Sequence, residues 1–128
     1  MTKKRKALGA FGEDIAAAYL LDVGMHVEQR NWRCDLGEVD IVAIDRGQLV
    51  ICEVKTRRST QFGHPVEAVT PRKLATLRKL AGRWLSDRAT ASTDEEDGHG
   101  FAGVRIDVVG VLIEPGSRPQ LTHLKAVG

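Results

Sequence analysis

Two nearly apolar runs joined by a short turn constrain the fold of this chain more than any other feature of its sequence. The stretch GEVDIVAIDRGQLVICEVKTRRS covers residues 37–59, and the turn Asp45-Arg46-Gly47 lies near its centre. Runs such as IVAI and LVIC are typical of strands that are covered on both faces of a sheet. The sequence therefore predicts a β-hairpin inside a covered sheet.

Charged residues stand inside this predicted hairpin, where the burial of a charge is costly. Asp40 lies in the first strand, and Glu53 and Lys55 lie in the second. A two-residue turn sets Asp40 opposite Glu53 and Glu38 opposite Lys55. Two carboxylates with Cβ atoms roughly 5 Å apart repel each other. A three-residue turn would offset this pairing by one residue, so the sequence alone leaves the register open.

Two converging carboxylates beside a lysine indicate metal-assisted chemistry on a phosphate. Mg²⁺ or Mn²⁺ prefers oxygen ligands and keeps waters for a substrate and a nucleophile. Lys55 can stabilise the negative charge that develops on a phosphate oxygen. Glycoside hydrolysis fits less well, because it uses one protonated acid and no metal. An exposed Glu-x-Lys salt bridge is the structural alternative, and the apolar neighbours argue against it.

The remaining sequence predicts two helices and three further strands. Apolar residues recur with a helical period over residues 7–22: Leu8, Phe11, Ile15 and Tyr19. Thr70 as N-cap and Pro71 at the first helical position predict a second helix over residues 71–87. Strands are predicted over residues 25–32, 38–45, 48–55, 104–113 and 120–127. The order predicts an α/β fold with a mixed central β-sheet flanked by helices.

The length of 128 residues predicts one domain spanning residues 1–128, with a basic tail at 1–6 and a mobile acidic loop at 89–103. Cys34 and Cys52 have no metal-binding spacing, which favours reduced thiols in a cytoplasmic protein.

The start of the chain does not resemble a signal peptide. Because no apolar run approaches the roughly 18 residues of a membrane span, we expect no membrane partner.

The formal net charge of +2 hides a strong segregation of charge. Residues 55–88 contain nine Lys and Arg residues against two acids. Such a segment favours a polyanionic partner such as nucleic acid, with a solvated basic face as the alternative. The candidates for contact with backbone phosphates are Arg57, Arg58, Arg72, Lys73 and Lys79.

The chain also resembles known proteins. Asp40, twelve residues and then Glu53-Val54-Lys55 resemble the PD-(D/E)xK signature of the restriction-endonuclease-like superfamily. The segments GEDIAAAYL, RNWRC, GEVDIVA, VICEVKTRRS, FGHPVEAVTPRK and VRIDVV resemble, in that order, the YraN-like family of uncharacterised bacterial proteins. That family is similar to archaeal Holliday-junction resolvases. The resemblance implies a restriction-endonuclease-like core with Asp40 and Glu53 as metal ligands and Lys55 as the catalytic lysine.

The resemblance also implies a supporting role for Glu13, as a further ligand or through water. Its position in the helix is compatible with an exposed first-turn glutamate as well. Val39 stands where the superfamily often has proline, which shapes the backbone and takes no part in the chemistry. Glu38 is extra to the pattern and is interpreted as a partner of Lys55. His64 is interpreted as a structural loop residue rather than a catalytic one.

The expected function is therefore metal-dependent hydrolysis of DNA, on branched or otherwise structured substrates during repair or recombination. A nucleic-acid-binding module that keeps the fold without cleaving is the alternative from a different class. An RNA-directed role is a third. A substrate with two-fold symmetry would favour a homodimer.

Overall fold

The computed structural model describes residues 3–61, 63–91 and 100–128. Two α-helices and five strands lie within these ranges, together with one short 3₁₀ helix. In chain order the elements are α1 (Lys3–Asp22), β1 (His26–Cys34), β2 (Gly37–Asp45), β3 (Gln48–Arg57), the 3₁₀ helix (Pro65–Ala68), α2 (Pro71–Ala91), β4 (Gly103–Leu112) and β5 (Gln120–Leu124). The predicted order of one helix, three strands, one helix and two strands is confirmed.

The strands form one five-stranded mixed sheet in the order β1-β2-β3-β4-β5. Strands β3 and β4 run parallel, whereas the other neighbouring pairs are antiparallel. A parallel pair needs a long crossover connection, and α2 lies within the connection between β3 and β4. The predicted α/β class with a mixed central sheet is confirmed.

The sheet separates two hydrophobic clusters, one beneath each helix. Val50, Cys52 and Val54 of β3 pack in the cluster that contains α1. Leu49 and Ile51 pack in the cluster that contains α2. Because successive strand residues point to opposite faces, β3 is covered on both sides, as its continuous apolar run predicts.

The face by which α1 packs on the sheet matches the predicted stripe only in part, because Ile15 and Tyr19 pack against the cluster but Phe11 does not. Phe11 is 51% exposed, whereas Ala16 and Leu20 are fully buried. Gly12 is also buried, and a Cβ atom on Gly12 would overlap with the side chain of Thr56 in β3. Gly12 therefore lets the helix axis approach β3 closely. Periodicity located the helix but not this contact.

Two predicted segment boundaries are corrected by the structure. Helix α1 begins at Lys3, so residues 3–6 of the predicted basic tail belong to the helix. Lysine, arginine and alanine are good helix formers, which explains the longer helix. Helix α2 continues to Ala91, so the predicted loop at 89–103 starts later, and residues 92–99 lie outside the described part of the chain. Thr70 Oγ1 accepts a hydrogen bond from Lys73 N at 3.2 Å, which confirms the predicted N-cap.

Cys34 and Cys52 are free thiols, as predicted, and burial raises the pKa of Cys52 above its ordinary value. Neither α1 nor α2, the helices of the described residues, combines the length and the apolar character that a membrane crossing requires. Trp84 of α2 is 6% exposed and packs in the hydrophobic cluster between α2 and the sheet.

Candidate functional site

Strands β2 and β3 pair in the predicted register and then separate. The pairs run from Asp45 with Gln48 to Ile41 with Cys52. Their residue numbers keep a constant sum throughout, which confirms the register of a two-residue turn. Beyond Ile41 and Cys52, β2 remains paired with β1 while β3 remains paired with β4. The strands therefore diverge within the sheet instead of ending together.

Asp40 and Glu53 occupy the first positions after this separation, so the direct backbone pairing expected for them is absent. Asp40 Oδ2 accepts a hydrogen bond from the backbone N–H of Val54 at 2.8 Å. The side chain thus satisfies a donor that a continuing β2–β3 ladder would have occupied. Burial and, after it, the neighbouring charge of Glu53 together raise the pKa of Asp40 to about 7.

Glu53 is a buried carboxylate with one satisfied and one unsatisfied oxygen. Its side chain lies 3.2 Å from Lys55 Nζ and 3.6 Å from Lys73 Nζ, both measured to Oε1. Oε2 is buried and has no hydrogen-bond partner among the described residues. A buried oxygen without a partner is costly, and more so when it carries charge. Such an atom is available to a ligand that enters the site.

Glu13 approaches the same region from α1, next to Glu38 of β2. The amide of Asn31, with its nitrogen turned toward the two acids, donates to Glu13 Oε2 at 3.0 Å and to Glu38 Oε1 at 3.2 Å. Burial is the main cause that raises the pKa of Glu13; Arg30 lowers it and Glu38 raises it. Asn31 has a positive φ of 53°, a conformation that asparagine tolerates better than most residues.

The interpretation of Glu38 as a partner of Lys55 is wrong. Glu38 Oε2 lies 3.3 Å from Arg33 of β1, while Lys55 lies against Glu53. The physical reason is the separation of β2 and β3, which removes the cross-strand position that a continued ladder would have given to Lys55. Glu38 therefore faces the β1 side of the site.

We call Glu13, Glu38, Asp40 and Glu53 the carboxylate cluster. The charges of Glu53, Glu13 and Glu38 all raise the pKa of Asp40, so these acids share one electrostatic environment. Within residues 3–61, 63–91 and 100–128, however, no three or more Asp, Glu, His or Cys side chains are assembled as a ready metal site. A ligand set of Asp40, Glu53 and Glu13 thus stays a prediction.

The predicted phosphate-binding residues divide into two groups in the structure. Lys73 lies in the first turn of α2 and reaches Glu53, so it belongs to the site itself. The others are exposed: Arg57 and Arg58 follow the apolar part of β3, Arg72 precedes Lys73, and Lys79 lies two turns farther along α2. Sequence reasoning did not place Lys73 against Glu53, because this contact depends on how the crossover returns α2 to the sheet.

His64 has the structural role favoured by the sequence. Its Nδ1 accepts a hydrogen bond from Val66 N at 3.3 Å and so caps the 3₁₀ helix. Its Nε2 lies 3.2 Å from Thr122 Oγ1 of β5. Glu67 completes the cap by accepting from His64 N at 3.1 Å. Both ring nitrogens are therefore engaged in holding the loop to the sheet.

A second buried polar group was missed by sequence reasoning. Asp107 of β4 is fully buried and accepts two hydrogen bonds from Arg105, at 2.9 and 3.0 Å. Its Oδ2 lies 2.7 Å from His123 Nε2, and His123 Nδ1 lies 3.1 Å from the Tyr19 hydroxyl. Burial opposes ionisation of Asp107, but its hydrogen bonds with Arg105, Ala126 N and His123 lower its pKa below the ordinary value. The sequence did contain a signal for this group, because Asp107 stands inside the apolar run VRIDVV. This network joins β4, β5 and α1.

The comparisons with known proteins concern almost the whole of this chain. The sequence pattern of the uncharacterised protein family UPF0102 matches residues 12–111. The chain belongs to UPF0102. A UPF0102 protein of Acidothermus cellulolyticus is 50% identical over 122 residues, which cover 94% of this chain and 92% of that protein. A UPF0102 protein of Streptomyces griseus is 50% identical over 123 residues, covering 96% and 97%. The UPF0102 match includes Glu13, Asp40, Glu53 and Lys55.

Proposed function

We propose that this UPF0102 protein is a metal-dependent nuclease that hydrolyses phosphodiester bonds in DNA. The observation that carries the proposal is the buried carboxylate of Glu53, with one free oxygen, between two lysines and beside Asp40. A structural salt bridge needs one lysine and leaves no buried oxygen unpaired. Strained electrostatics of this kind are typical of functional sites.

The proposed class rests on the resemblance of this arrangement to the PD-(D/E)xK signature. Asp40, Glu53 and Lys55 have the spacing of that signature, and they meet where two neighbouring strands diverge. A mixed sheet with a helix on each face is compatible with a restriction-endonuclease-like core. The similarity of the YraN-like family to archaeal Holliday-junction resolvases directs the proposal toward branched DNA, in repair or recombination.

The residues of the site fit a divalent cation of the Mg²⁺ or Mn²⁺ type. Proteins hold Mg²⁺ through one or two carboxylates, with water and substrate phosphates completing the coordination. Asp40 and Glu53 would supply that pair, and Glu13 would act as a further ligand or through water. When bound, the cation would neutralise charge on the phosphate and favour ionisation of a nucleophilic water.

Lys55 and Lys73 supply the positive charge of the protein itself. Both ammonium groups lie within 4 Å of Glu53 Oε1, and each side chain is about one-third exposed. We assign Lys55 to hold the phosphate oxygen on which charge develops in the transition state. Lys73 would hold the orientation of Glu53 in the absence of substrate and contact a neighbouring phosphate in its presence.

The exposed cations extend this site into a surface for the DNA backbone. Arg72 and Lys73 lie at the N-terminal turn of α2, where positive side chains oppose the helix dipole and cost stability. A phosphate at this turn would be attracted by both side chains and by the dipole. Arg57, Arg58 and Lys79 would add sequence-independent contacts.

A nucleic-acid-binding module without catalysis is the second candidate function. It is favoured by one observation: among the described residues, the acids do not form a ready three-ligand metal site. Such a module has no use for the negative charge of Asp40 and Glu53, so neutral variants would bind phosphates more tightly. RNA is the alternative substrate. We also propose a homodimeric state and a cytoplasmic location.

The test is an incubation of the purified protein with labelled duplex, flap, four-way-junction and single-stranded DNA, and with matched RNA. Each substrate is tested with Mg²⁺, Mn²⁺ or EDTA, and Asp40→Asn and Lys55→Met run alongside. We expect metal-dependent cleavage that both variants lose by at least 100-fold while DNA affinity is retained. Asp14→Asn, an exposed acid next to Glu13, is the control for nonspecific loss. Binding without cleavage under every metal would leave the binding module.

A further inference from the structure

Phe11 is a large aromatic side chain that the packing of α1 leaves half exposed. The helix contacts the sheet through Gly12, Ala16 and Leu20, so Phe11 lies beside the contact and not within it. A single exposed apolar residue is common on protein surfaces and implies no function by itself. Whether Phe11 has a function therefore depends on the residues that surround its ring.

Phe11 forms one wall of a groove with a volume of about 360 Å³. Leu8 of α1 and Ile113 and Pro115, which follow β4, contribute apolar surface. Arg58 contributes a guanidinium group to the same groove. The volume lies near the lower end of the range for small-ligand sites, roughly 300–1,000 Å³. The groove therefore offers an aromatic face, apolar walls and a cation within one small space.

The groove lies on the flank of α1 that faces the ends of β3 and β4. Phe11 and Glu13 are two residues apart on α1, so their side chains leave the helix in nearly opposite directions. Glu13 lies against Asn31 of β1, whereas Phe11 lines the groove together with Arg58, which directly follows β3. Arg58 therefore provides the positive charge that a polyanionic strand would meet at this groove.

We propose that Phe11 is the stacking platform for an unpaired nucleobase of the substrate, with Arg58 contacting the attached phosphate. This inference rests on the proposed action on nucleic acid and narrows it to substrates with unpaired bases. Aromatic rings bind bases of any sequence by stacking, and arginine adds cation–π and phosphate contacts. Bases inside an intact duplex are already stacked and cannot enter such a groove.

The charges of the groove favour a nucleobase over a second copy of this chain. In a two-fold interface the same patch occurs on both subunits, so the guanidinium groups of Arg58 would be brought together from both sides. Like charges facing each other oppose association. Glu114 also lines the groove, and its carboxylate can accept from an exocyclic amino group at a base edge.

The test measures stacking without cleavage. A duplex with a single-stranded flap carries 2-aminopurine in the flap, and a blunt duplex serves as the fully stacked substrate, both in EDTA. Phe11→Leu removes the aromatic ring and keeps an apolar side chain, whereas Phe11→Trp keeps the ring. Leu21→Ala, another exposed apolar residue of α1, is the matched control. Circular dichroism and sedimentation establish that each variant is folded and report its oligomeric state.

We expect the wild-type protein to bind the flap substrate and to change its fluorescence. Phe11→Leu should weaken flap binding roughly 5- to 100-fold and remove the fluorescence change, with blunt-duplex affinity within twofold. Phe11→Trp and Leu21→Ala should behave like the wild type. Three results would overturn the inference. Phe11→Leu could bind the flap substrate as tightly as the wild type, the wild type could fail to bind it, or Phe11→Leu could lose a dimer that the wild type forms. A fluorescence change on binding, without cleavage under any metal, would refute the proposed nuclease activity and leave the stacking intact. Cleavage by the wild-type protein, together with a Phe11→Leu substitution that has no effect on flap binding, would refute the stacking and leave the nuclease activity intact.

Discussion

Asp40 Oδ2 accepts a hydrogen bond from the backbone N–H of Val54 at 2.8 Å, at the point where β2 and β3 have separated. A side chain thereby replaces the ladder that would otherwise join the two strands. The arrangement holds the carboxylate of Asp40 beside that of Glu53, although the two acids repel each other. Both acids lie where β2 and β3 separate. Neutral variants of these acids should therefore change the free energy of unfolding as well as the activity.

Asp40→Asn is expected to stabilise the metal-free protein at pH 8. The pKa of Asp40 is raised to about 7 in the folded state, so the folded protein favours the protonated form. This contribution to stability is full below the unfolded pKa, roughly 3.9, and is lost as the pH rises toward 7. Asparagine keeps an oxygen acceptor for Val54 without the charge. We predict a gain on the order of 1–3 kcal/mol in the free energy of unfolding.

Urea unfolding in EDTA at several pH values measures this effect. The difference between Asp40→Asn and the wild type should shrink as the pH falls from 8 to 4, and Asp14→Asn should show no such trend. A destabilised Asp40→Asn at pH 8 would contradict the account, because it would mean that the ionised carboxylate stabilises the fold.

Lys73→Met and Lys79→Met are predicted to affect different steps. Lys73 lies 3.6 Å from Glu53, whereas Lys79 is exposed farther along α2. Loss of the Lys73 charge should lower the single-turnover cleavage rate at saturating protein by at least tenfold. Loss of the Lys79 charge should weaken DNA binding and reduce the salt dependence by about one counterion, with the saturated rate unchanged. Identical behaviour of the two variants would remove Lys73 from the site.

Gly12→Ala is predicted to destabilise the protein although alanine is the better helix former. A Cβ atom at Gly12 would overlap with Thr56, so α1 must move away from β3. Overpacking of this kind costs about 1–3 kcal/mol. Gly9 lies in the same helix with no neighbour within 4 Å of such a Cβ atom, so Gly9→Ala should stabilise by about 0.5–1 kcal/mol. Thermal unfolding distinguishes the two, and equal shifts in one direction would refute the close packing.

Asp107→Asn is predicted to lower the free energy of unfolding by about 3 kcal/mol at pH 7, because it deprives the mostly buried Arg105 of an ionised partner. The lowered pKa of Asp107 means that its contribution is present above the unfolded pKa and is lost as the pH falls below it. The deficit of the variant should therefore shrink in acid. Asp87→Asn removes an exposed partner of Arg83 and should cost less than about 0.5 kcal/mol. Chemical denaturation compares the two, and equal costs would contradict a structural role for the buried network.

The sequence was sufficient to predict the hairpin and the register of its paired residues. A two-residue turn fixes the register of β2 and β3, and apolar runs on both strands identify them as covered. The placement of Glu53 and Lys55 on one face of β3 follows from strand periodicity. These features can be predicted because they are set by neighbouring residues and depend on few long-range contacts.

Features that depend on packing between distant segments could not be predicted. The hydrophobic period of α1 gives a stripe of large residues, but the approach of the helix to β3 is decided by the small residue Gly12. The separation of the strands after Ile41 has no local sequence signal, and it changed the partner of Glu38. Asn31 gains its bridging position from a positive φ that the chain pattern does not reveal.

Mn²⁺ binding followed by electron paramagnetic resonance tests our proposal that Asp40 and Glu53 together bind a divalent cation. The signal of free Mn²⁺ is titrated with metal-free protein, with and without a short DNA duplex, and Mg²⁺ is added as a competitor. We predict one Mn²⁺ site that Mg²⁺ displaces, weakened at least tenfold in Asp40→Asn and in Glu53→Gln but unchanged in Asp14→Asn. Undiminished binding by both neutral variants, or no binding by the wild type even with DNA, would contradict the account.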